Sequence, residues 1–326
     1  KYILSYSLLI CLNLGAQYQL PIQTDYLMDN YYLLHPAMAG AHYEGIKVRA
    51  THRSQWQSVE NAPSLQTING HSRIGQKSGV GLLFYNDQNG FHKRFGAQAT
   101  YAHHLNFYKN YQEINQLSFG LSVGLLNDTH DQSSFDRRLG DPTVSGFRIK
   151  SRAFTVDAGV SYNRLGFYAH LTGKNLVFSR SNKTEITALD QPRIILFGAG
   201  YFWEVERGFS VEPSFMLGAI TYNKTMVYDI GLKSHHNFRS FYGWLGVCYR
   251  SGIDTLSDNK ARNGSIQSQQ QLSLMMGMQK GAFSLSYAYT HGLERIQLSN
   301  FAGHLFTLGI DIFDDAYRPT TVRGIL

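Results

Sequence analysis

The feature that most constrains this chain is a run of alternating residues from Leu117 to Leu125. Its odd-numbered positions are all large and apolar, and only Ser and Gly fill the positions between them. A period of two is typical of a β-strand, whose successive side chains point to opposite faces. A soluble sandwich would carry Lys, Glu and Thr on its wetted face, so Ser and Gly favour a narrow lumen behind a lipid-facing wall.

The same alternation recurs along the chain and predicts 14 strands. In the first strand Lys47, Arg49 and Arg53 share one face, which we expect to point into the lumen. The predicted strands cover 46–56, 64–73, 78–86, 94–107, 113–126, 152–162, 165–175, 193–204, 209–221, 226–237, 240–251, 269–279, 282–291 and 302–313. An even number of strands of this length predicts an all-β fold, an antiparallel outer-membrane β-barrel.

The lengths of the connections favour a barrel over a Greek-key sandwich. Short connections such as 74–77 and 280–281 follow even-numbered strands, whereas the long connections at 127–151, 176–192 and 252–268 follow odd-numbered strands. Bacterial outer-membrane barrels have short periplasmic turns at one end and long extracellular loops at the other. We therefore expect both chain termini on the periplasmic side.

The composition agrees with this class of protein. Of 326 residues 43% are hydrophobic and only 16% charged, with 31 Gly, 21 Tyr and 20 Phe, which argues against a disordered chain or a coiled coil. The net charge of +7 comes from scattered Lys and Arg residues. It predicts a basic lumen or attraction to anionic outer-membrane lipid, and no nucleic-acid partner.

The two ends of the chain fall outside the strand pattern. A cation, a short apolar run and small residues predict a secretory signal peptide over residues 1–16. Residues 17–45 are expected to plug the lumen or to pack below it in the periplasm. The barrel is assigned to 46–313, and the polar residues 314–326 are expected to form a periplasmic tail.

No specific catalytic, cofactor or metal motif is present, so we predict a protein that is not an enzyme and has no cofactor and no metal. The His pairs at 103–104 and 235–236 lie on opposite faces of a strand and cannot bind one metal together. Residues 128–131 (Asp-Thr-His-Asp) are expected in the longest loop, solvated, with a calcium site as the alternative. The Tyr31-Tyr32 pair is assigned to an interfacial aromatic belt.

Five motifs between residues 25 and 126 carry a family resemblance. In order they are DYLMDNYYLLHPAMAG at 25–40, RSQW at 53–56, the segment from GVGL to NDQNG at 79–90, YAHHL at 101–105 and SFGL at 118–121. Their order and spacing resemble the PorP/SprF family of Bacteroidota membrane proteins, in which His35 stands where most members have Asn. The residues singled out from these motifs are Asn30, His35, Pro36, Gly40, Arg53, Gln55, Trp56, Pro63, Gly79, Gly81, Asn86, Asp87 and Gly90.

The resemblance implies an outer-membrane barrel of the type IX secretion system or of the gliding machinery. It also implies partners: secreted surface adhesins or other cargo with a type B C-terminal sorting domain, and periplasmic components of the secretion motor. A lumen filled by the N-terminal segment would make the barrel a docking platform and not a channel.

Two other functions stay open at the level of sequence. The main alternative is an outer-membrane transporter of hydrophobic small molecules, which an apolar channel leading to a lateral gap would favour. A Ser/His or Asp/His pair within hydrogen-bond reach would favour an outer-membrane enzyme.

Overall fold

The computed structural model describes residues 30–41, 45–56, 61–107, 115–133, 146–180, 192–221, 225–254, 270–293 and 302–312. The predicted signal peptide at 1–16 and the predicted tail at 314–326 lie outside these residues. Two short 3-10 helices, Tyr31–Leu33 and Pro36–Met38, precede the strands. No helix in the described ranges has the length and apolar character needed to cross a membrane.

The remaining regular structure is antiparallel β-sheet. The strands are β1 (Ile46–Gln55), β2 (Ser64–Ile74), β3 (Ser78–Asn89), β4 (His92–Asn106), β5 (Asn115–Asp131), β6 (Arg148–Arg164), β7 (Phe167–Arg180), β8 (Ile194–Tyr201), β9 (Trp203–Glu206), β10 (Phe209–Ile220), β11 (Thr225–Asn237), β12 (Tyr242–Asp254), β13 (Gln270–Lys280), β14 (Phe283–Gly292) and β15 (Ala302–Ile312).

The sheet closes on itself because the first and last strands pair. β1 pairs with β2 on one edge and with β15 on the other, from Ile46 opposite Ile312 to Gln55 opposite Gly303. The other strands pair with their neighbours in chain order, and β10 pairs with β8, β9 and β11. The result is a closed 14-strand antiparallel barrel with one extra strand, which confirms the predicted fold class.

The extra strand arises where the sequence predicted one strand over 193–204. Phe202 interrupts it, so that β8 and β9 lie one after the other along β10. The amide of Phe202 donates a 2.7 Å hydrogen bond to the carbonyl oxygen of Gly166, and its side chain packs against Tyr168. The prediction of a single strand is therefore wrong here, because one residue leaves the ladder to pack inside the barrel.

The predicted loop over 127–151 is also wrong in part. β5 continues to Asp131 and β6 begins at Arg148, so residues 128–131 pair with β6 and are not in a loop. The outward residues in this stretch include Asn127 and Thr129. The hydrophobic alternation that marks a lipid-facing strand thus ends several residues before the hydrogen bonding does.

The two faces of the barrel differ as the alternation predicts. On β5, Leu121 and Leu125 are 50% and 63% exposed on the outer face, whereas Ser118 and Ser122 are buried on the inner face. Polar residues of β1 are likewise buried inside: Lys47, Arg49, Arg53 and Gln55. The inner wall of the barrel is therefore polar and its outer wall apolar.

The barrel has two unlike rims. Tight turns at 75–77, 165–166, 207–208 and 281–282 lie at one rim, which we call the turn rim. The connections after β5, β7, β12 and β14 lie at the other, which we call the loop rim. This arrangement matches short turns at one end of an outer-membrane barrel and longer loops at the other.

Candidate functional site: a plug held in the lumen

Residues 30–41, which we call the plug, lie inside the barrel toward the turn rim. Their backbone folds on itself: the amide of His35 donates to the carbonyl oxygen of Tyr31 at 2.9 Å, and that of Met38 to His35 at 2.9 Å. Leu34 and Ala37 are 1% and 0% exposed. The plug is thus buried without being a strand of the sheet, and side chains make its contacts with the wall.

One end of the plug is held by a buried carboxylate on β10. The hydroxyl of Tyr31 donates to Glu212 Oε1 at 2.9 Å, and the hydroxyl of Tyr168 donates to the same oxygen at 2.6 Å. His235 Nε2 and Lys233 Nζ lie 2.9 and 4.0 Å from Glu212 Oε2. Burial, followed by the negative charge of Glu212, raises the pKa of Tyr31 well above its usual value. Tyr31 therefore stays a hydrogen-bond donor.

The middle of the plug is held by β7. His35 Nδ1 and Thr172 Oγ1 form a 2.9 Å hydrogen bond, and the His35 ring lies 4.7 Å from the ring of His170. Lys174 Nζ donates to the carbonyl oxygen of Leu33 at 3.2 Å. Burial, and then the nearby His170 and Lys174, lower the pKa of His35 well below its usual value, so the docked side chain is neutral.

The other end of the plug meets β2 and β4. His104 Nε2 and the carbonyl oxygen of Ala39 are 3.0 Å apart, and the amide of Gly40 donates to His71 Nδ1 at 3.0 Å. Gly40 has φ +67, a left-handed conformation that glycine adopts without steric cost. The plug therefore crosses the lumen from the β7–β10 wall to the β2–β4 wall, and Gly40 turns the chain toward β1.

Glycines on the inner wall leave room for this crossing. A methyl group at Gly79 or Gly120 would overlap the backbone of the plug, and one at Gly81 would overlap the ring of Tyr32. The hydroxyl of Tyr32 donates to Thr100 Oγ1 at 3.0 Å, and burial raises its pKa to about 12. The small residues of the predicted strands are thus where the wall receives the plug.

The motif residues fall into three places. At the plug and its wall lie Asn30, His35, Pro36, Gly40, Gly79 and Gly81. On the inner face nearer the loop rim lie Arg53, Gln55 and Asp87. At strand ends, hairpins or the outer face lie Trp56, Pro63, Asn86 and Gly90. The structure therefore brings part of the set together at the plug, and the roles of the rest stay predictions.

Tyr31, Tyr32 and Glu212 anchor the plug, but the sequence did not predict this role for them. Tyr31 and Tyr32 were assigned to an interfacial belt, but both rings lie in the lumen, so that prediction is wrong. Glu212 was not singled out. One signal was present, because Glu212 is the only acidic residue in β10 and it sits at an inward position of the alternation.

Two Ser–His pairs line the same interface. His104 Nδ1 lies 2.8 Å from Ser118 Oγ, and His170 Nδ1 lies 2.8 Å from Ser161 Oγ. All four residues are at most 1% exposed and face inward against the plug. A serine nucleophile needs an approach path for its substrate, so these pairs position the plug in this conformation and do not form an accessible catalytic site.

A cavity of about 50 Å³ lies beside the plug. It is bounded by His35 on the plug and by Asp229, Cys248, Arg250 and Gln271 on the wall. Arg250 donates to both carboxylate oxygens of Asp229 at 2.7 and 2.6 Å, so the charges are paired. Since one water needs roughly 10–15 Å³ by this measure, the cavity has room for a few waters and is too small for a lipid-sized molecule.

The described residues contain no group of three His, Cys, Asp or Glu side chains arranged to hold a metal ion. In the segment 128–131, considered above for calcium, Asp128 Oδ1 instead accepts a 2.5 Å hydrogen bond from Arg94 Nε. Asp131 pairs with Arg148 across the β5–β6 hairpin. The carboxylates of this segment therefore have arginine partners.

These features define a class of protein: a closed membrane-type β-barrel, polar inside and apolar outside, with a segment of its own chain held in the lumen. The family model described as "Type IX secretion system membrane protein PorP/SprF" matches residues 15–310, and the chain belongs to this family. The family and the fold together support an outer-membrane location and point to a structural or secretion role rather than to catalysis.

Solved structures with a similar arrangement are distant in sequence. BamA from Haemophilus ducreyi lacking POTRA domains 1-3 is 9% identical with a TM-score of 0.45, over 82% of this chain and 70% of that one. A bacterial polysaccharide outer membrane secretin is 8% identical with a TM-score of 0.44, over 82% and 99%. The CymD monoaromatic hydrocarbon channel is 11% identical with a TM-score of 0.43, over 85% and 90%. A search among curated proteins gives no match.

Proposed function

We propose that this barrel anchors and docks exported surface proteins in the type IX secretion or gliding machinery. Its cargo would be adhesins or other proteins with type B C-terminal sorting domains. The observation that carries this proposal is the plug, because residues 30–41 occupy the lumen near the turn rim and bond to both sides of its wall. A barrel of this kind acts through its rims and outer wall.

Two features of the wall and the lumen argue against the alternative that the barrel transports hydrophobic small molecules. β1 and β15 pair over their lengths, so the closure of the barrel leaves no lateral gap between them. The space beside the plug is small, and the paired Asp229 and Arg250 form part of its wall. A hydrophobic solute passing there would have to displace buried charges from their partners, which is costly.

The two rims suit different partners. The turn rim, expected on the periplasmic side, lies next to the plug, and we propose it as the face for periplasmic components of the secretion motor. The loop rim, expected outside the cell, is the face we propose for cargo. Outer-membrane lipid surrounds the apolar wall, on which Leu125, Leu245 and Leu308 are each more than 60% exposed.

Affinity purification from the native outer membrane in mild detergent tests this function. The tagged protein is captured and its partners are identified by mass spectrometry, with a tagged unrelated barrel from the same membrane as control. We expect a large surface protein with a sorting domain, periplasmic motor proteins, or both. Recovery of the barrel alone with lipid or fatty acid in its lumen would reject docking and favour the transporter.

A further inference from the structure

Three cations stand close together on the outer face of the barrel near the loop rim. Lys93 lies on β4, and Lys150 and Arg152 lie on β6. All three are exposed, and within the described part of the chain none of them makes a hydrogen bond or an ion pair. We call these three residues the basic patch.

The register of the sheet brings the three side chains of the basic patch near one another. Lys93 pairs with Thr129 of β5 and Thr129 pairs with Lys150, so the two lysines lie in one row, two strands apart. Neighbouring strands are about 4.8 Å apart, which puts the two lysine Cα atoms roughly 10 Å from each other. Arg152 lies on the same face as Lys150, about 7 Å away along β6. Long side chains at these distances can reach one ligand together.

The basic patch lies where the apolar belt of the outer wall ends. On β4 and β6 the next outward residues toward the turn rim are Phe95 and Phe154, which are 49% and 36% exposed. On β5, between these strands, Leu125 is 63% exposed and the next outward residue toward the loop rim is the polar Asn127. Lipid tails solvate the apolar surface of a barrel, and lipid headgroups begin where that surface stops. The cations are therefore at the depth of the headgroups.

The acidic residues nearest to the basic patch do not neutralise it. Asp131 accepts a 2.8 Å hydrogen bond from Arg148 Nε, and Asp128 is buried on the lumen side of β5. On β11 and β13 the outward positions near the loop ends are instead apolar, since they hold Met226 and Leu272. The corner formed by β4, β5 and β6 thus combines unpaired positive charge with an apolar surface below it.

We propose that the basic patch binds the phosphate groups of a glycolipid in the outer leaflet of the outer membrane. Lys and Arg bind phosphate through charged hydrogen bonds, and basic clusters beside a membrane-spanning wall recognise anionic headgroups. A lipid presents negative charge at this depth and hydrocarbon directly below it, where Phe95, Leu125 and Phe154 lie. Phosphorylated glycolipid is confined to the outer leaflet, so this site rests on the proposed outward orientation of the loop rim.

Titration of the purified barrel with diphosphoryl lipid A, followed by native mass spectrometry, tests this site. The patch variant is Lys93→Gln/Lys150→Gln/Arg152→Gln. One cation beside an anionic lipid surface changes affinity about fivefold, so the patch variant should bind lipid A on the order of 100-fold more weakly than the native barrel. Lys150→Gln alone should weaken binding about fivefold, which keeps the test valid if the triple variant fails to fold.

The matched control removes the same charge from exposed arginines at the turn rim, as Arg164→Gln/Arg207→Gln/Arg239→Gln. It should bind diphosphoryl lipid A like the native barrel, and lipid A without phosphates should bind all the proteins equally weakly. Equal binding of diphosphoryl lipid A by the native barrel and the patch variant would overturn the site, as would equal weakening in the control. Displacement of the lipid by an equal concentration of inorganic phosphate would also overturn it. A heat-dependent shift in gel mobility shows whether each variant has folded.

Labelling of intact cells tests the proposed orientation separately. Lys150→Cys should react with a membrane-impermeant maleimide, whereas Gln76→Cys, in a turn at the other rim, should not. The reverse pattern would overturn the outward orientation, and with it the glycolipid as the ligand in the cell. The expected labelling without lipid A binding would reject the site alone and would leave the proposed docking function standing.

Discussion

Glu212 shows how one buried side chain positions a segment that has no place in the sheet. It is 0% exposed, yet two tyrosine hydroxyls and His235 are within hydrogen-bond distance, and Lys233 is near. A buried carboxylate is tolerated only when it is paired and hydrogen-bonded. Docking of Tyr31 supplies one of these bonds, so the barrel and the plug stabilise each other.

Removing the Tyr31 hydroxyl should loosen the plug. A hydrogen bond to a charged group contributes about 1.5–3 kcal/mol, so Tyr31→Phe should speed hydrogen exchange of the amides of residues 30–41 about 10- to 100-fold. Tyr162→Phe is the control, because its hydroxyl donates to Asn115 away from the plug. Equal exchange in both variants would show that Glu212 does not hold the plug.

The inner-wall glycines give a test by steric overlap. A methyl group at Gly120 would overlap the plug backbone, whereas one at Gly303 would meet Thr290 and Gln55 at ordinary contact distances of 3.6 and 3.8 Å. Overpacking costs typically about 1–3 kcal/mol. Gly120→Ala should therefore make the plug sensitive to an added protease, and Gly303→Ala should not. If the plug of Gly120→Ala resists the protease, the wall must have shifted to accommodate the methyl group while the plug stayed docked.

Acid should weaken docking of the plug through His35. Its pKa is lowered in the docked state, so the released state binds more protons once the pH falls below about 6.5. Docking is therefore strongest above that pH. As the pH falls below it, the equilibrium constant for docking decreases by up to about tenfold per pH unit. Hydrogen exchange of the plug at pH 7.5 and 5.5 measures this change.

The control for acid sensitivity is His35→Gln, whose amide can still bond to Thr172. His170 and Lys174 face His35 from β7, and His71 and His104 face the plug from β2 and β4. These other groups remain in His35→Gln, so the variant removes only the imidazole of His35. The pH response of the variant should therefore be the smaller one. An equal response would assign the sensitivity to the wall.

At the scale of the element, the predicted strand positions are right where apolar and polar residues alternate and wrong where the alternation stops. Most strands were placed within a few residues, because lipid outside and a polar lumen inside impose a period of two. The ends of β5 and β6 were missed since outward residues such as Asn127 and Arg152 no longer meet lipid. The break at Phe202 was missed because its cause, the space beside Tyr168, lies in another strand.

The seam between β1 and β15 depends on a buried ion pair. Arg49 Nη1 donates to Asp311 Oδ1 at 2.6 Å, and Gln279 donates to the other oxygen at 3.1 Å. Arg49→Met removes a charged hydrogen-bond donor from this buried carboxylate and should cost up to about 3–5 kcal/mol of stability. Arg148→Met removes an exposed partner of Asp131 and should cost only about 0–1 kcal/mol.

Urea unfolding followed by gel mobility measures both variants of these ion pairs. The double variant Arg49→Met/Asp311→Leu should recover part of the loss, because it removes the buried carboxylate together with the guanidinium. Equal stabilities for Arg49→Met and Arg148→Met would show that closure of the barrel does not depend on this contact.

At the scale of the whole molecule, the barrel class, the family and part of the site could be inferred from the sequence, but the contacts within the site could not. Period-two patterning identifies the lumen face, and a motif also marks Gly79 and Gly81, but neither signal shows what these glycines and Gly120 contact. Their contacts with the plug join residues up to 84 positions apart, as between Gly120 and Pro36, and a local pattern has no signal for such contacts. Tyr31 was misassigned for the same reason, since an aromatic residue suits either lipid interface or a plugged lumen.

Reconstitution into planar bilayers tests the whole molecule. A 14-strand barrel is intermediate between eight-stranded barrels filled by side chains and porins of 16–18 strands with an aqueous channel, so a lumen without its plug should conduct ions. We expect no steady current from the intact chain and discrete single-channel steps from a variant lacking residues 30–41. Gly120→Ala should give intermittent steps and Gly303→Ala none. Steady conductance by the intact chain would contradict a sealed docking barrel, and a silent deletion variant would show that other residues close the lumen.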